Sequence, residues 1–251
     1  MSIVTSKNNE IVKYAINIKD KKYSRLHGEC LVETDKVIAD LIANGVQIST
    51  ILVVEDKQQK FNNILSNFSG KIVVIADTIA RAITDSVTPS GIFAFAKIPT
   101  VNNAKLGSKV LVLDNLQDPA NLGAILRSAL AFGFTDILTI NCTYPYSYKV
   151  IRSSMGYVFK IKMLDVTIEE LKDLISAQNI QLICADMSGD DISKFTPNKA
   201  NIAIVIGNEG KGVSSDVCAL CSSTVSIPMK NNVESLNASV SASILMYYLK
   251  D

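Results

Sequence analysis

The chain has 251 residues, of which 48% are hydrophobic, so it can bury one large core or two modest ones. Its formal net charge is +1, which does not indicate the strongly basic surface of many nucleic-acid-binding proteins. No apolar run reaches the ~18 residues of a membrane span, and the polar N-terminus argues against a signal peptide. We therefore expect a cytoplasmic protein that does not contact a membrane.

The cysteines indicate reduced thiols rather than a disulfide framework or a metal site. There are five, an odd number without regular spacing. Cys218 and Cys221 form one CxxC pair, but a tetrahedral zinc site needs two further ligands. The sole histidine, His27, is far away in the sequence. We expect no bound metal.

The first hundred residues predict a small α/β domain. Residues 1–26 hold six basic against two acidic side chains, which predicts a basic helical segment, with an ordinary solvated helix face as the alternative. Asp35–Asn44 has an amphipathic pattern that ends at Gly45. Three β-branched or apolar runs predict strands, and a helix-like segment lies between the first two: Ile51–Val54, Gln58–Asn67, Ile72–Ile75 and Ile92–Ala96.

A polar connector separates this domain from the rest of the chain. Thr88–Gly91 carries turn residues before the last predicted strand, and Pro99–Gly107 is polar. We place the boundary near residue 100, which gives domains of residues 1–100 and 101–251.

The second domain alternates short apolar strands with helices, a pattern that predicts a parallel sheet covered on both faces. The predicted strands are Val110–Leu113, Ile137–Ile140, Gln181–Ala185, Ile202–Ile206 and Val225–Ile227, and the predicted helices are Leu122–Phe132, Ile168–Ala177 and Leu236–Leu249.

Three apolar runs in this domain are followed by turns rich in glycine and amide side chains. Val110–Leu113 precedes Asp118–Arg127, Ile204–Ile206 precedes Gly207–Gly210, and Ile227-Pro228 precedes Glu234–Asn237. Glycine after a strand lets the backbone turn sharply, and open α/β sheets bind ligands at the carboxyl ends of their strands. The three turns therefore predict one site. The spacing Gly-x-x-Gly-x-Gly over 207–212 does not match the GxGxxG of dinucleotide-dependent dehydrogenases.

These turns resemble the three motifs of the SpoU (TrmH-like) RNA ribose methyltransferases of the SPOUT superfamily. The likeness covers Val110–Leu249 and includes Arg152–Gly156, while the N-terminal part resembles more loosely the family's substrate-binding domain, which is akin to small ribosomal proteins. One departure is Thr34, where many relatives have glycine. The resemblance implies a parallel-sheet domain closed by a C-terminal trefoil knot, a homodimer, and S-adenosylmethionine as the methyl donor.

The resemblance also implies a set of donor contacts and catalytic residues. Gly207, Ile227 and Leu236 match the donor-contacting positions, with Met229 as a further wall and plain core packing as the alternative for the two aliphatic residues. The candidate catalytic residues are Arg127, Asn121, Glu209, Ser235 and Asn237.

Each candidate catalytic residue has a chemical reason. A guanidinium with a pKa above ~12 is a poor general base, so we expect Arg127 to bind a phosphate and stabilise the developing oxyanion. Glu209 is a candidate to orient Arg127 through a charge-assisted pair. The neutral side chains of Asn121, Ser235 and Asn237 can fix the nucleotide or cap the last helix, and Ser235 in particular has the position of an N-cap.

For RNA binding we predict the basic N-terminal cluster and a polar segment of the second domain: Lys19, Lys21, Lys22, Arg25, Arg152 and Ser153. The expected substrate is ribosomal RNA of the 23S type, because a substrate-binding domain precedes the catalytic one. Transfer RNA is the alternative substrate, and a non-catalytic RNA-binding protein of the same fold is the alternative class. The apolar composition of Ala238–Leu249 independently favours a dimer.

Overall fold

The computed structural model describes residues 2–101, 105–231 and 233–250. The chain forms two compact units. The first extends to Pro99 and also includes Tyr146–Arg152, and the second comprises Thr100–Pro145 and the chain from Ser153 onward. A single cut near residue 100 thus leaves out the Tyr146–Arg152 segment. None of the helices in the described ranges has the length and hydrophobicity needed to cross a bilayer.

The first unit is built on a four-stranded sheet of order β1-β4-β2-β3, in which only β2 and β3 are parallel. Its elements are α1 Glu10–Asn17, α2 Lys21–His27, β1 Glu29–Glu33, α3 Asp35–Ala43, β2 Ile48–Val54, α4 Asn62–Leu65, β3 Lys71–Ile75, α5 Asp77–Ile83 and β4 Ile92–Lys97. One core cluster, which includes Val12, Ile18, Leu52 and Phe93, joins α1 and α5 to the sheet.

Most of the elements predicted for this unit are confirmed, and one is wrong. The basic segment is helical but splits in two, because Asp20 caps α2 by accepting from Lys22 N and Tyr23 N. The predicted helix Gln58–Asn67 is instead a 3₁₀ turn at Glu55–Lys57 followed by the short α4. The strand β1 and the helix α5 were not predicted, and both show little of the period that identifies an element in isolation.

Thr34, the departure from the family pattern, has a φ of 88° and a ψ of 138°. That backbone conformation suits glycine, and a β-branched residue is strained there. The turn between β1 and α3 is therefore kept despite the substitution, at a conformational cost.

The second unit is an α/β fold on a six-stranded sheet of order β10-β8-β9-β5-β6-β7, and every recorded pairing is parallel. Its elements, listed together with helix α7, most of which belongs to the first unit, are β5 Lys109–Asp114, α6 Pro119–Ala131, β6 Asp136–Ile140, α7 Tyr148–Ser153, β7 Lys162–Asp165, α8 Ile168–Ala177, β8 Gln181–Asp191, β9 Ile202–Ile206, α9 Ser215–Cys218, β10 Ser223–Ser226 and α10 Ala238–Tyr248. The predicted mixed α/β class with a parallel sheet is confirmed.

The sheet brings the three motif turns to one edge. β9 lies between β5 and β8, and β8 also pairs with β10. Because these strands are parallel, their carboxyl ends meet on the same side, where the turns at Asp118, Gly207 and Ile227 begin. The short β7 and α7 were not predicted. The trefoil knot and the domain boundary remain predictions.

Candidate active site

The turn after β9 is closed by its own backbone. Asn208 and Gly212 exchange two backbone hydrogen bonds of 2.9 Å. A Cβ on Gly207 would lie 2.1 Å from the carbonyl carbon of Gly212 and 2.2 Å from the nitrogen of Val213. Glycine is required at 207 because the loop folds back on itself, and not only because a ligand approaches, as the sequence alone suggested.

Glu209 holds the turn before α6. Its Oε1 accepts hydrogen bonds from the backbone nitrogen of Asp118 at 3.1 Å and from Nδ2 of Asn121 at 3.2 Å. Partial burial raises the pKa of Glu209, but these bonds and others from backbone nitrogens outweigh that effect and bring it below its ordinary value. The carboxylate therefore stays charged and joins the second motif to the first.

Asn237 adds the third motif. Its Nδ2 donates to Oδ1 of Asn121 at 2.9 Å, while its own Oδ1 accepts from the backbone nitrogens of Ser239 and Val240 and caps α10. Asn237 is thus the N-cap, and the expectation that Ser235 caps this helix is wrong. The chain Glu209–Asn121–Asn237 connects all three motifs by hydrogen bonds.

An open cleft of about 620 Å³ lies over this chain of side chains. Asn121, Glu209, Ser235 and Asn237, four of the five predicted catalytic residues, line it, together with Gln117, Asp118, Leu236 and Ala238. Its wall offers neutral donors and acceptors beside two carboxylates, those of Asp118 and Glu209, a composition suited to the hydroxyl groups of a ribose.

A smaller, more enclosed cavity of about 110 Å³ lies next to it. Three of the four predicted donor-contacting residues, Ile227, Met229 and Leu236, line it, whereas Gly207 is not among the lining residues. Ser235 and Leu236 line both the cavity and the cleft. The two sites therefore share a wall.

Residues after β8's apolar run also line the cavity and were not predicted. Ala185, Asp186 and Met187 line it from the strand that neighbours β10. Hydrogen bonds from the side chain and backbone of Ser188 lower the pKa of Asp186. These three residues lie within β8, which continues to Asp191, beyond the predicted end of that strand at Ala185.

Arg127 stands apart from the cleft. It is exposed on α6, six residues after Asn121, and does not line either pocket. Across the described ranges its side chain makes no hydrogen bond or ion pair, so the predicted pair with Glu209 is not present. Its guanidinium remains available to an external anion.

The segment predicted to bind RNA in the second half has two different environments. Ser153 Oγ donates to the carbonyl oxygen of Pro119 at 2.9 Å, and a Cβ on Gly123 would lie 1.9 Å from that hydroxyl. Ser153 thus packs against the start of α6. Arg152 is exposed, and its guanidinium lies 5.8 Å from the ring centre of Tyr148.

The basic residues of the first unit also lie in two different environments. Lys19 Nζ pairs with Asp85 at 2.7 Å and donates to the carbonyl oxygen of Ile83 at 2.9 Å, with only 20% of its side chain exposed. Lys21, Lys22 and Arg25 are exposed on α2. Lys19 therefore has a structural partner that the sequence did not reveal. Within the described residues no group of three or more His, Cys, Asp or Glu side chains could hold a metal ion.

Comparison with known protein families shows which family has this arrangement of motifs. The model of the SpoU rRNA methylase family matches residues 108–247, which include all three motifs. The chain belongs to the SpoU rRNA methylase family. The model of the MRM3-like substrate-binding domain matches residues 9–94. The resemblance drawn from the motifs is confirmed, and the chain is an RNA methylase with a substrate-binding domain before the catalytic one.

Individual relatives cover nearly the whole chain. A 23S rRNA (guanosine(2553)-2'-O)-methyltransferase, RlmP of Bacillus subtilis, is 26% identical over 100% of both chains. A putative TrmH family tRNA/rRNA methyltransferase of Staphylococcus aureus is 32% identical over 84% of this chain and 91% of its own.

Solved structures agree with the fold. One of an RNA 2'-O ribose methyltransferase is 26% identical and covers 98% of this chain and 97% of its own, with a TM-score of 0.86. The SpoU methyltransferase AviRb of Streptomyces viridochromogenes, in complex with AdoMet, has a TM-score of 0.87 at 24% identity and 97% coverage of both chains. At that identity the likeness to AviRb concerns the fold alone.

Proposed function

We propose that this chain transfers a methyl group from S-adenosylmethionine to the 2′-oxygen of one nucleotide in ribosomal RNA of the 23S type. One observation carries the proposal: Ser235 and Leu236 line both an apolar cavity and an open polar cleft. A donor in the cavity and a ribose in the cleft would meet across these two residues, which is the proximity that group transfer requires.

The cavity residues fit this donor in their chemistry. Ile227, Leu236 and Val225 offer apolar walls to a flat adenine ring, and Asp186 offers a carboxylate to hydroxyl or ammonium groups. About 110 Å³ is below the ~300–1,000 Å³ typical of ligand pockets, so the walls must separate when the donor binds. The donor would supply the electrophilic methyl group, and the residues of the protein would bind and orient the two substrates.

The cleft residues and Arg127 would position the acceptor. Asn121 and Asn237 hold each other and thereby fix the cleft wall, to which a ribose can hydrogen-bond. The planar, positively charged fork of Arg127 suits a phosphate oxygen or the developing oxyanion. Proton removal from the 2′-hydroxyl would then fall to water or to a group of the donor.

We further propose a homodimer formed through the second unit. On α10 the side chains of Val240, Tyr247 and Tyr248 are 46%, 53% and 52% exposed, whereas Leu245 and Met246 are buried. The helix thus has a covered face and an uncovered apolar face, which a second copy can bury. A dimer would place Arg127 and the donor cavity near the subunit boundary. Sedimentation equilibrium at micromolar concentration tests this, and a fully active monomer would contradict it.

The first unit would bind the RNA of this cytoplasmic enzyme, with Lys21, Lys22 and Arg25 contacting phosphates. Binding through phosphates weakens as salt rises, and the slope flattens when a contacting residue is removed. We expect the double variant Lys21→Ala/Lys22→Ala to flatten the salt slope without loss of stability. Lys19→Ala is the matched comparison, because that lysine is already paired and should lower the melting temperature instead.

Mapping of 2′-O-methyl groups in RNA from cells with and without the gene tests the function directly. We expect one ribosomal position to lose its methyl group, and purified protein to restore it with tritium-labelled donor. Loss of a transfer RNA methyl group would replace the proposed substrate. Failure to bind the donor in calorimetric titration would favour the non-catalytic alternative.

A further inference from the structure

The first unit has an open pocket of about 650 Å³ that none of the sequence motifs identified. Its lining comes from α1, α2 and the strands β1, β2, β3 and β4. Tyr14, Tyr23 and Phe95 supply aromatic surface, and Glu29, Lys13 and Lys71 supply charge. The pocket therefore combines the two chemical features with which proteins bind nucleotides.

The aromatic residues form a connected, ordered group. The ring of Tyr14 meets that of Phe95 edge-to-face at 4.9 Å and that of Tyr23 at 5.8 Å. Tyr23 also lies 4.3 Å from the ring of His27 at a tilt of 39°. Because Phe95 is buried and Tyr14 and Tyr23 are half-buried, the rings are held in place and still face the pocket.

Glu29 supplies an ordered acceptor at the wall. Its Oε2 accepts from the hydroxyl of Tyr14 at 2.6 Å, and its Oε1 lies 3.1 Å from Nζ of Lys97, its cross-strand neighbour. Burial raises the pKa of Glu29, yet the hydrogen bonds from Tyr14, Lys97 and Ser49 outweigh it, so the pKa lies below its ordinary value. A carboxylate has about four lone-pair sites, so these three donors leave room for one more.

Two lysines belong to the pocket wall. Lys13 on α1 and Lys71 at the start of β3 are exposed. In the parts of the chain that the structure describes, neither side chain forms an ion pair or a hydrogen bond. Unpaired cations beside an aromatic wall are complementary to a base with its attached phosphate.

We propose that this pocket binds an unpaired purine nucleotide of the RNA substrate. The base stacks on Tyr23, its N–H edge donates to Glu29, and the neighbouring phosphates lie against Lys13 and Lys71. Unpaired bases stacked on aromatic side chains are the usual form of sequence-specific RNA recognition, and a purine offers the larger stacking face. The proposal rests on the chain being an RNA methylase and names a second RNA contact, separate from the cleft.

The test measures binding of short RNAs to the full chain. The probes are fluorescein-labelled, uridine-rich heptamers with a central guanosine, a central adenosine or uridine throughout. We expect the purine-containing heptamers to bind more tightly than all-uridine RNA, and Tyr23→Ala to weaken their binding by at least about fivefold. Tyr23→Phe retains the ring and should restore binding. Equal binding by the parent, Tyr23→Ala and Tyr23→Phe would overturn the proposal.

A second set of variants separates the contribution of charge to RNA binding from that of stacking. The double variant Lys13→Ala/Lys71→Ala should reduce the salt slope by about 1.4, as expected for two phosphate contacts on a single strand. The matched control, Lys172→Ala/Lys199→Ala, removes two exposed lysines of the second unit and the same net charge. Equal slopes in both double variants would contradict a phosphate contact at the pocket.

A third measurement reports where the base lies and separates this proposal from the proposed function. A heptamer with central 2-aminopurine should lose fluorescence when its base stacks on Tyr23, and the loss should disappear in Tyr23→Ala. Donor binding should be unchanged in that variant, and methyl transfer to ribosomal RNA should show a raised KM with an unchanged kcat. If the parent protein binds the heptamers but transfers no methyl group, the proposed methyltransferase function is refuted and the pocket proposal is retained. Fluorescence that is unaffected by the protein would refute the pocket alone.

Discussion

Gly207 and Thr34 both occupy positions that disfavour a side chain, but for different physical reasons. At Gly207 a Cβ would lie 2.1 Å from backbone carbon, so the obstacle is steric overlap. Thr34 carries its side chain at a φ of 88°, so the obstacle there is only an unfavourable backbone torsion. Steric overlap with backbone atoms costs a large amount of free energy to relieve, whereas a stable domain can tolerate torsional strain of ~1–3 kcal/mol.

The motif turns of the second unit are also tied to one another. In the second unit the motif residues hold one another through backbone contacts and the Glu209–Asn121–Asn237 chain. A substitution there disturbs several partners at once. The first unit keeps its turn with a threonine side chain at a positive φ.

The largest expected effect concerns Arg127. Arg127→Ala should lower the rate of methyl transfer at least about a hundredfold, because a lost contact to developing charge costs ~2.7–4 kcal/mol. Since the side chain is exposed and does not line the donor cavity, donor affinity and stability should remain unchanged. A tritium-transfer assay and calorimetric titration measure the two effects, and Lys172→Ala is the matched loss of an exposed helical cation. Transfer within about threefold of the parent would remove Arg127 from the mechanism.

The next effect tests the steric argument directly. Gly207→Ala should destabilise the protein by at least ~1–3 kcal/mol and lower its melting temperature by several degrees, because the new Cβ overlaps Gly212 and Val213. Gly210→Ala is the control in the same loop, since its Cβ would meet nothing closer than 3.8 Å and its φ is not positive. Thermal unfolding followed by circular dichroism compares them. Equal melting temperatures would show that the loop can relax.

The cleft of the second unit and the aromatic pocket of the first show which sites could be predicted from the sequence. The cleft was predictable because its residues lie in three contiguous motifs after strands, and parallel strands bring such turns together. The aromatic pocket was not, since Tyr14, Tyr23, Glu29 and Phe95 come from four separate elements and meet only after folding. Asp186 was missed because it lies within β8, which is longer than the sequence predicted, and not in a turn that follows a strand.

Ion pairs and hydrogen bonds between residues far apart in the sequence set a second limit on sequence-based prediction. Lys19 belonged to a basic run that indicated RNA binding, yet its partners Ile83 and Asp85 are more than sixty residues away in the chain. Charge patterns locate a cation but do not show which cations the fold has already neutralised. The wrong capping role of Ser235 has a similar origin, because Asn237 is two residues closer to the helix and has an equally suitable side chain.

A smaller effect of opposite sign is expected at Thr34. Thr34→Gly should raise the free energy of unfolding by about 1 kcal/mol, because relief of ~1–3 kcal/mol of backbone strain exceeds the ~0.5–1 kcal/mol entropic cost of glycine. Gly45→Ala is the complementary variant, since it introduces a side chain at a φ of 72° in the same unit and should destabilise it. Urea unfolding measures both. A loss of stability in Thr34→Gly would mean that the threonine side chain contributes more than its backbone strain costs.

The smallest effect separates the charge of Glu209 from its shape. The folded pKa of Glu209 lies below its ordinary value of 4.5, so its stabilising contribution is present above that pH and is lost as pH falls through the folded pKa. Glu209→Gln removes this titration while keeping one acceptor oxygen for Asp118 or Asn121. Because the group is largely exposed, we expect the variant to lose less than about 1 kcal/mol at neutral pH. The difference between parent and variant should shrink in urea unfolding as the pH falls below 4.5 and through the lowered folded pKa. A difference that stays constant across this range would show that the side chain's shape, rather than its charge, holds the first two motifs together.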